Sequence, residues 1–198
     1  MRNEVKFIGD YTQLRKIISE QSASRAYPTR SINSIYFDTR DMDDFNDSEE
    51  GSVPRQKTRL RWYGSRMIRT RLSGAVENKS TLSNHREKDS FRVSDLEQEP
   101  LVDLISSVRK TKMIPVALIS YIREYFMTPS GLRFTLDRHI QYAATDKYFR
   151  VTRTERDYSN VLELKVPVDV DYSVATSNFA DLRTRFSKYC EAVRRLEY

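Results

Sequence analysis

Basic side chains recur at every second residue in the segment KTRLRWYG (57–64). Because the side chains of a β-strand point alternately to two faces, the spacing of Lys57, Arg59 and Arg61 predicts a strand with one cationic face and one largely apolar face. Arginine offers paired donors to two phosphate oxygens and lysine offers a compact charge, so such a face suits a phosphate-rich ligand. For any single strand, the alternative is a half-buried sheet whose polar side faces water.

The same alternation appears along much of the chain. It places the following residues together on single strand faces: Glu4 with Lys6, Glu77 with Lys79, Arg123 with Tyr121 and Tyr125, Arg133 with Asp137, and Glu163 with Lys165. With segments 31–38 and 148–154, the pattern predicts about eight strands. Apolar residues at spacings of three and four predict helices over 11–21, 101–108 and 179–196.

Strands without regular βαβ alternation favour an antiparallel fold of the α+β class. Eight antiparallel strands can close into a barrel, which removes exposed sheet edges. We therefore expect one domain over residues 1–198, a closed antiparallel eight-stranded β-barrel with flanking helices and an inward charged face. Buried cations without partners are costly, so such a lumen would need a polyanion.

The charge distribution supports an anionic ligand. The net charge is +6, and residues 55–92 hold eleven basic residues against three acidic ones, as expected for a polyanion-binding surface or a solvated basic face. The acidic run 41–50 has no ion-binding spacing, and we expect a solvated loop there rather than a metal site. Cys190 is the only cysteine, which fits a reducing compartment. We expect a cytoplasmic protein without an intrinsic membrane segment, since no window holds about 18 apolar residues.

Several segments in one order resemble the VTC domain, the catalytic domain of the vacuolar transporter chaperone polyphosphate polymerases and their bacterial relatives. They are SINSIYFDTRDMDDF (31–45), KTRLRWYG (57–64), ENK (77–79), MIPVALISYIREYF (113–126), GLRFTLDR (131–138), VLELKV (161–166) and FSKY (186–189). The YFDT, RLRWYG and SKY segments are the most specific. The resemblance implies a triphosphate tunnel fold, the barrel shared with CYTH phosphatases and class IV adenylate cyclases.

The resemblance also implies the site residues. Catalytic phosphate contacts fall on Arg59, Arg61, Arg123, Arg133 and Lys188, and further phosphate ligands on Lys6, Lys79, Ser187 and Lys165. Glu163 would bind a divalent metal, Mn²⁺ or Mg²⁺, and Glu4 is a second candidate ligand. We expect Asp137 to order an arginine rather than to act on a substrate.

The resulting hypothesis is a metal-dependent polyphosphate polymerase that transfers the ATP γ-phosphate to a growing chain. Its partners would be ATP, inorganic triphosphate or polyphosphate, and the oligomeric state stays open. One alternative is a triphosphatase, in which water is the nucleophile. Others are modules that only bind polyphosphate or nucleic acid. We expect no nucleic acid partner, because Trp62 lies opposite Arg59 and Arg61 rather than beside them.

Overall fold

The computed structural model describes residues 2–82, 85–167 and 177–197. Within them lie nine strands: β1 (Arg2–Gly9), β2 (Ser24–Asp38), β3 (Arg55–Tyr63), β4 (Arg71–Leu82), β5 (His85–Glu97), β6 (Ile114–Met127), β7 (Arg133–Thr145), β8 (Val151–Asp157) and β9 (Asn160–Pro167). There are also four α-helices: α1 (Tyr11–Glu20), α2 (Asp43–Glu50), α3 (Gln98–Arg109) and α4 (Lys188–Leu196). A 3-10 helix, Ser177–Leu182, precedes α4. The α+β class is therefore confirmed.

Hydrogen bonds join the strands in the order β1-β9-β7-β6-β2-β3-β4-β5, with β8 paired to β7. The pairs β1·β9, β9·β7, β2·β3, β3·β4 and β4·β5 are antiparallel. The prediction of a closed eight-stranded barrel is wrong, because in the described part of the chain nine strands form a sheet whose order ends at β1 and β5.

The two end strands show why the sheet stays open. Phe7 of β1 forms a bridge with Arg183, and the Thr184 N–H donates to the Lys6 carbonyl oxygen at 3.0 Å, so another segment pairs with β1. At the other end, the described side chains of β5 are mostly charged and exposed, and such side chains protect an edge strand from pairing.

The chain divides into two compact units. Unit 1 comprises Met1–Ser31, Tyr121–Ile140 and Arg156–Phe186, and unit 2 comprises Ile32–Ser120, Gln141–Glu155 and Ser187–Tyr198. In unit 1, alternate residues of the strands bury an apolar face against α1, and the core contains Val5, Phe7, Leu14, Ile17, Ile18, Phe126, Phe134, Leu136, Leu162, Leu164 and Val166. Most charged residues of these strands consequently lie on the opposite face: Glu4, Lys6, Arg133, Asp137, Glu163 and Lys165.

In unit 2, one face of β3 and β4 packs against α3. The core contains Ile35, Phe37, Leu60, Leu72, Val76, Leu101, Ile105, Met113, Leu118, Ala143 and Phe149. An ion pair lies at the C-terminal end of α3, where Arg109 donates to both carboxylate oxygens of buried Asp44 at 2.7 Å.

The predicted elements differ from the observed ones in three places. Residues 43–50 of the acidic run form α2 rather than a loop. The Asp38 carboxylate accepts from the N–H groups of Asp44 and Phe45, and Arg109 pairs with Asp44. The predicted helix 179–196 is interrupted, because α4 begins at Lys188 with Ser187 as its N-cap. Strand β5 was not predicted, since its apolar residues are too sparse. In the part of the chain described, no helix is both long and apolar enough to span a bilayer.

Candidate functional site

A buried carboxylate organises the cationic residues of unit 2. Glu77 is 4 % exposed, and its Oε2 accepts hydrogen bonds from Arg59 Nε at 2.8 Å and Nη2 at 2.6 Å. Lys88 Nζ donates to Oε1 at 2.7 Å, and Arg61 Nη1 lies 3.7 Å from the same oxygen. We call these four residues, with Tyr36, the Glu77 cluster.

Strand register assembles this cluster. Tyr36 of β2 pairs with Arg59 of β3, and Arg59 pairs with Glu77 of β4. Residues paired directly across antiparallel strands share a face, so the three side chains meet, and Arg59 Nη1 donates to the Tyr36 hydroxyl at 2.8 Å. The predicted alternation of β3 therefore holds, with Arg59 and Arg61 on one face and Leu60 in the core.

The cations dominate the electrostatics of the cluster. Burial alone would raise the pKa of Glu77, but the charges of Arg59 and Arg61 and the hydrogen bonds from Lys88 and Arg59 lower it to about 2. Burial would likewise raise the pKa of Tyr36, yet nearby cations lower it below its ordinary value. One carboxylate thus lies among three cations, which leaves an excess of positive charge for an anion.

Two buried polar atoms of this region have no hydrogen-bond partner among the described residues: Arg61 Nε and Ser34 Oγ. Ser34 and Arg61 are paired across β2 and β3, so these atoms belong to the same face. Buried polar atoms are nearly always bonded, because leaving one unsatisfied costs about 1–3 kcal/mol. An external acceptor such as a phosphate oxygen would satisfy both.

Two further lysines lie close to the cluster, Lys79 on β4 and Lys188 at the start of α4. Lys79 follows Glu77 by two residues on β4, and its charge contributes to the lowered pKa of Tyr36. Lys188 begins α4, and its neighbour Tyr189 stacks on Tyr36 with ring centroids 5.1 Å apart. Ser187 serves as the N-cap, with its Oγ accepting from the Cys190 N–H at 3.4 Å.

The carboxylates and the lysine predicted in unit 1 also come together. Lys165 Nζ lies 3.6 Å from Glu4 Oε1 and 3.3 Å from Glu163 Oε1. Lys6 is the cross-strand partner of Glu163, and its Nζ donates to the Phe186 carbonyl oxygen at 2.8 Å. Here two carboxylates lie beside one lysine, whereas at Glu77 three cations lie beside one carboxylate.

The donor set of unit 1 suits a divalent metal only in part. Mg²⁺ and related hard cations take oxygen ligands, and in phosphate-processing sites one or two carboxylates act with substrate oxygens and water. Glu163 and Glu4 offer such a pair. Among the described residues there is no group of three or more metal-binding side chains, so a metal held here would need ligands from a phosphate substrate.

The two arginines predicted in unit 1 differ in their surroundings. Arg123 donates from Nε and Nη2 to buried Asp137 at 2.6 and 2.7 Å, which confirms that Asp137 orders an arginine. Burial would lower the pKa of Arg123, but the Asp137 carboxylate raises it well above its ordinary value. Arg133 is exposed, and its side chain makes no hydrogen bond or ion pair with the described residues. It is the cross-strand partner of Lys165.

The sequence interpretation missed the centre of the Glu77 cluster. It placed Glu77 on the face of Lys79 but assigned it no role, and it did not select Lys88 or Tyr36. Glu77 had one available signal, since it is an isolated acid within a basic segment. The register that brings Lys88 to it could not be inferred from that segment.

Comparison with known proteins agrees with the fold and the family. The model of the VTC domain family matches residues 1–197. No curated protein matches the chain significantly. The PH1012 protein from Pyrococcus horikoshii OT3 is similar in structure, with a TM-score of 0.58 and 14 % identity over 97 % of this chain and 99 % of that one.

Two further solved structures have a similar fold. HpAC1 from Hippeastrum, assigned as an adenylyl cyclase and found to have a dominant triphosphatase activity, has a TM-score of 0.56 and 16 % identity over 99 % of this chain and 96 % of that one. A protein from Vibrio parahaemolyticus assigned as an adenylate cyclase has a TM-score of 0.53 and 12 % identity over 98 % and 97 % of the two chains. These identities establish a shared fold, and the match over residues 1–197 establishes that the chain belongs to the VTC domain family.

Proposed function

We propose that this chain is a metal-dependent enzyme that processes triphosphates, and that it transfers the γ-phosphate of ATP to a growing polyphosphate. The proposal rests mainly on the Glu77 cluster. Three cations surround one carboxylate whose pKa is about 2, and two buried polar atoms beside them lack a partner in the described structure. A phosphate group supplies the acceptor oxygens and negative charge that this arrangement lacks.

In unit 2 the proposed phosphate ligands are Arg59, Arg61, Lys79, Lys188 and Ser187. The helix that Lys188 begins adds N–H groups and the positive end of its dipole, which also favour an anion. Arg61 is the strongest candidate, because its Nε has no described partner and Arg59 already donates to Glu77 and Tyr36.

In unit 1 the proposed phosphate ligands are Lys6, Arg123, Arg133 and Lys165, and the proposed metal ligands are Glu163 and Glu4. Mn²⁺ or Mg²⁺ bound there would neutralise charge on phosphate oxygens. Lys165 now lies between the two carboxylates. It can therefore hold them in place and contact a phosphate once they bind a cation.

In the proposed reaction, a terminal phosphate oxygen of the polyphosphate attacks the γ-phosphorus of ATP. A new P–O bond forms, the bond from the γ-phosphorus to the β,γ-bridging oxygen breaks, and ADP leaves. The protein's part is to align the phosphates and to stabilise their charge, which is the main requirement of phosphoryl transfer. No protein nucleophile is needed.

A triphosphatase is the second candidate, favoured by the activity described for HpAC1, which has a similar fold. The same cations would stabilise attack by water on a terminal phosphate. The two functions differ in the acceptor that reaches the γ-phosphorus and therefore in their products.

Product analysis distinguishes the candidates. We expect purified protein incubated with ATP and Mn²⁺ to give ADP and long phosphate chains, detected by gel electrophoresis and ³¹P NMR. Orthophosphate without chains would favour the triphosphatase. No turnover, together with salt-sensitive binding to mixed DNA or RNA, would contradict both enzymes.

A matched pair of variants tests the metal site. Glu163→Gln removes one carboxylate beside Lys165, so we expect metal affinity to fall by more than the roughly 10- to 100-fold typical of an outer-shell loss. Triphosphate binding measured in EDTA should change little. Glu155→Gln, at a half-exposed ion pair with Arg153, is the control. If Glu163→Gln and wild type had equal metal affinity, Glu163 would not be a metal ligand.

A further inference from the structure

Unit 1 contains a cleft of about 300 Å³ whose walls differ in chemical character. It is lined by Ala26, Tyr27, Arg30, Arg123, Tyr125, Phe126, Met127, Arg133, Phe134, Thr135 and Lys165. Three of these residues are proposed phosphate ligands, yet the ring surfaces of the tyrosines have no role in binding a bare phosphate chain.

One end of the cleft is aromatic. Tyr27 and Tyr125 meet edge to face, with ring centroids 5.9 Å apart and an interplanar angle of 89°. The Arg30 guanidinium lies 5.9 Å from the centre of the Tyr125 ring. Tyr27 is 54 % exposed, so it can offer contact surface to a ligand. Unpaired nucleobases commonly stack on aromatic rings that lie beside an arginine.

The other end is cationic. Arg133 and Lys165 are cross-strand partners on β7 and β9, and the Arg133 side chain makes no hydrogen bond or ion pair with the described residues. Its guanidinium is therefore available to phosphate oxygens without first breaking a bond within the described structure.

Thr135 lies on β7, two residues after Arg133 and on the same face of the strand. Its side chain is 9 % exposed, and its Oγ1 is buried without a hydrogen-bond partner among the described residues. An unsatisfied buried hydroxyl needs an explanation. Because Thr135 lines the cleft, a ligand lying in the cleft would supply the partner.

The strand order gives the separation across the sheet that such a ligand would span. From Lys165 on β9 the sheet passes through β7 and β6 to Tyr27 on β2, three steps of about 4.8 Å each, or about 14 Å in all. This is comparable with the extended length of a nucleoside triphosphate. A bare phosphate chain would leave the aromatic end unused.

We propose that this cleft binds a nucleoside triphosphate along its length, with the base against Tyr27 and Tyr125, the phosphates towards Arg133 and Lys165, and the Thr135 hydroxyl donating to the ligand near Arg133. The proposal rests on the proposed function for the phosphate end. It adds that the substrate is recognised through its base and not by its phosphates alone.

Tyr27 variants test the base seat. Binding of ATP and of inorganic triphosphate is measured by calorimetry in EDTA, which prevents the metal-dependent reaction. We expect Tyr27→Leu to weaken ATP binding by about fivefold or more, the lower range for loss of one aromatic–base contact. Inorganic triphosphate should bind as in wild type, and Tyr27→Phe, which keeps the ring, should retain ATP affinity. Tyr148→Leu, at an exposed tyrosine of unit 2, should change neither.

Thr135→Val tests the hydroxyl. Valine keeps the shape and removes an unsatisfied group, so we expect the Tm of the ligand-free protein to stay the same or rise, while ATP affinity falls by about tenfold. Thr58→Val is the matched control, because the Thr58 hydroxyl of β3 bonds to Arg109 and Asn78 and its loss should lower the Tm. A fall in Tm for Thr135→Val with unchanged ATP affinity would overturn the role of Thr135.

The outcomes separate this inference from the proposed function. If wild type binds both ligands and Tyr27→Leu weakens them equally or not at all, the base seat is wrong and the triphosphate function stands. If wild type binds neither ligand, both proposals fail.

Discussion

In unit 2, three cations converge on the buried carboxylate of Glu77, whereas in unit 1 two carboxylates converge on the single amine of Lys165. The first arrangement keeps an excess of positive charge after internal pairing. In the second, carboxylates and cations are mixed, because Lys6 lies opposite Glu163 and the exposed Arg133 lies opposite Lys165. An anion suits the first, and a divalent cation together with an anion suits the second.

Burial adds to the contrast. The Arg59 and Glu77 side chains are 12 % and 6 % exposed, while those of Lys165 and Glu4 are 34 % and 30 % exposed. Removing one member of a buried charge pair is costly, because the other stays desolvated, whereas exposed pairs contribute little. The comparison therefore predicts large stability effects at Glu77 and effects mainly on binding around Lys165.

Glu77→Gln should have the largest effect. Arg59, Arg61 and Lys88 would lose their shared counter-charge, and we expect the free energy of unfolding to fall by about 3–5 kcal/mol. Added triphosphate should stabilise the variant more than wild type. Chemical denaturation with and without triphosphate measures both effects.

A suitable control is Asp95→Asn, which removes an exposed partner of Arg71 and should cost under about 1 kcal/mol. A similarly small loss of stability for Glu77→Gln would contradict the expectation that the buried carboxylate contributes more than the exposed one.

The second largest effect should be the loss of folding stability at acid pH. The pKa of Glu77 is lowered from 4.5 to about 2 in the folded protein. The unfolded state thus binds the proton more tightly, and the stabilisation is complete above about pH 5 and lost as the pH falls towards 2. A change of this size corresponds to about 3 kcal/mol. Unfolding followed from pH 6 to pH 2 should show this loss in wild type and a smaller one in Glu77→Gln, and identical profiles would contradict it.

Arg61→Ala should affect binding more than folding. Arg61 lies 3.7 Å from Glu77, while Arg59 makes shorter bonds to it, so we expect stability to fall by about 1 kcal/mol or less. Loss of two charge-assisted bonds to phosphate should weaken triphosphate binding by at least about 100-fold. Calorimetry measures the affinity, with exposed Arg69→Ala as control. If Arg61→Ala unfolds the ligand-free protein, Arg61 is structural.

Local sequence patterns predict the strand face on which each side chain lies, but not the residue that it contacts. Alternation placed Arg59 and Arg61 opposite Leu60, and it placed Glu163 and Lys165 opposite Leu164, because side-chain direction in a strand depends only on neighbouring residues. The carboxylate that each arginine contacts depends on register between strands. Lys88 meets Glu77 only because β5 pairs with β4, and β5 itself lacks a strong apolar alternation.

Long-range contacts also explain the errors in fold. Residues 41–50 predict a solvated loop because their spacing matches no ion-binding site, whereas the observed helix is contacted by Arg109, which lies 65 positions from Asp44. Closure of the barrel was inferred from the number of strands, but Arg183 and Thr184 pair with β1. No periodicity within β1 contains that information.

Arg133→Ala should have the smallest effect and tests unit 1 most directly. Because Arg133 is exposed and has no described partner, the free energy of unfolding should change by under about 0.5 kcal/mol. Triphosphate affinity should fall by about five- to tenfold, with a weaker dependence on salt, since one phosphate contact is lost. Calorimetry at two salt concentrations measures this, and Arg156→Ala, at another exposed arginine of unit 1, should leave affinity unchanged. Equal losses for the two variants would mean that general positive charge, rather than the position of Arg133 beside Lys165, attracts the phosphate.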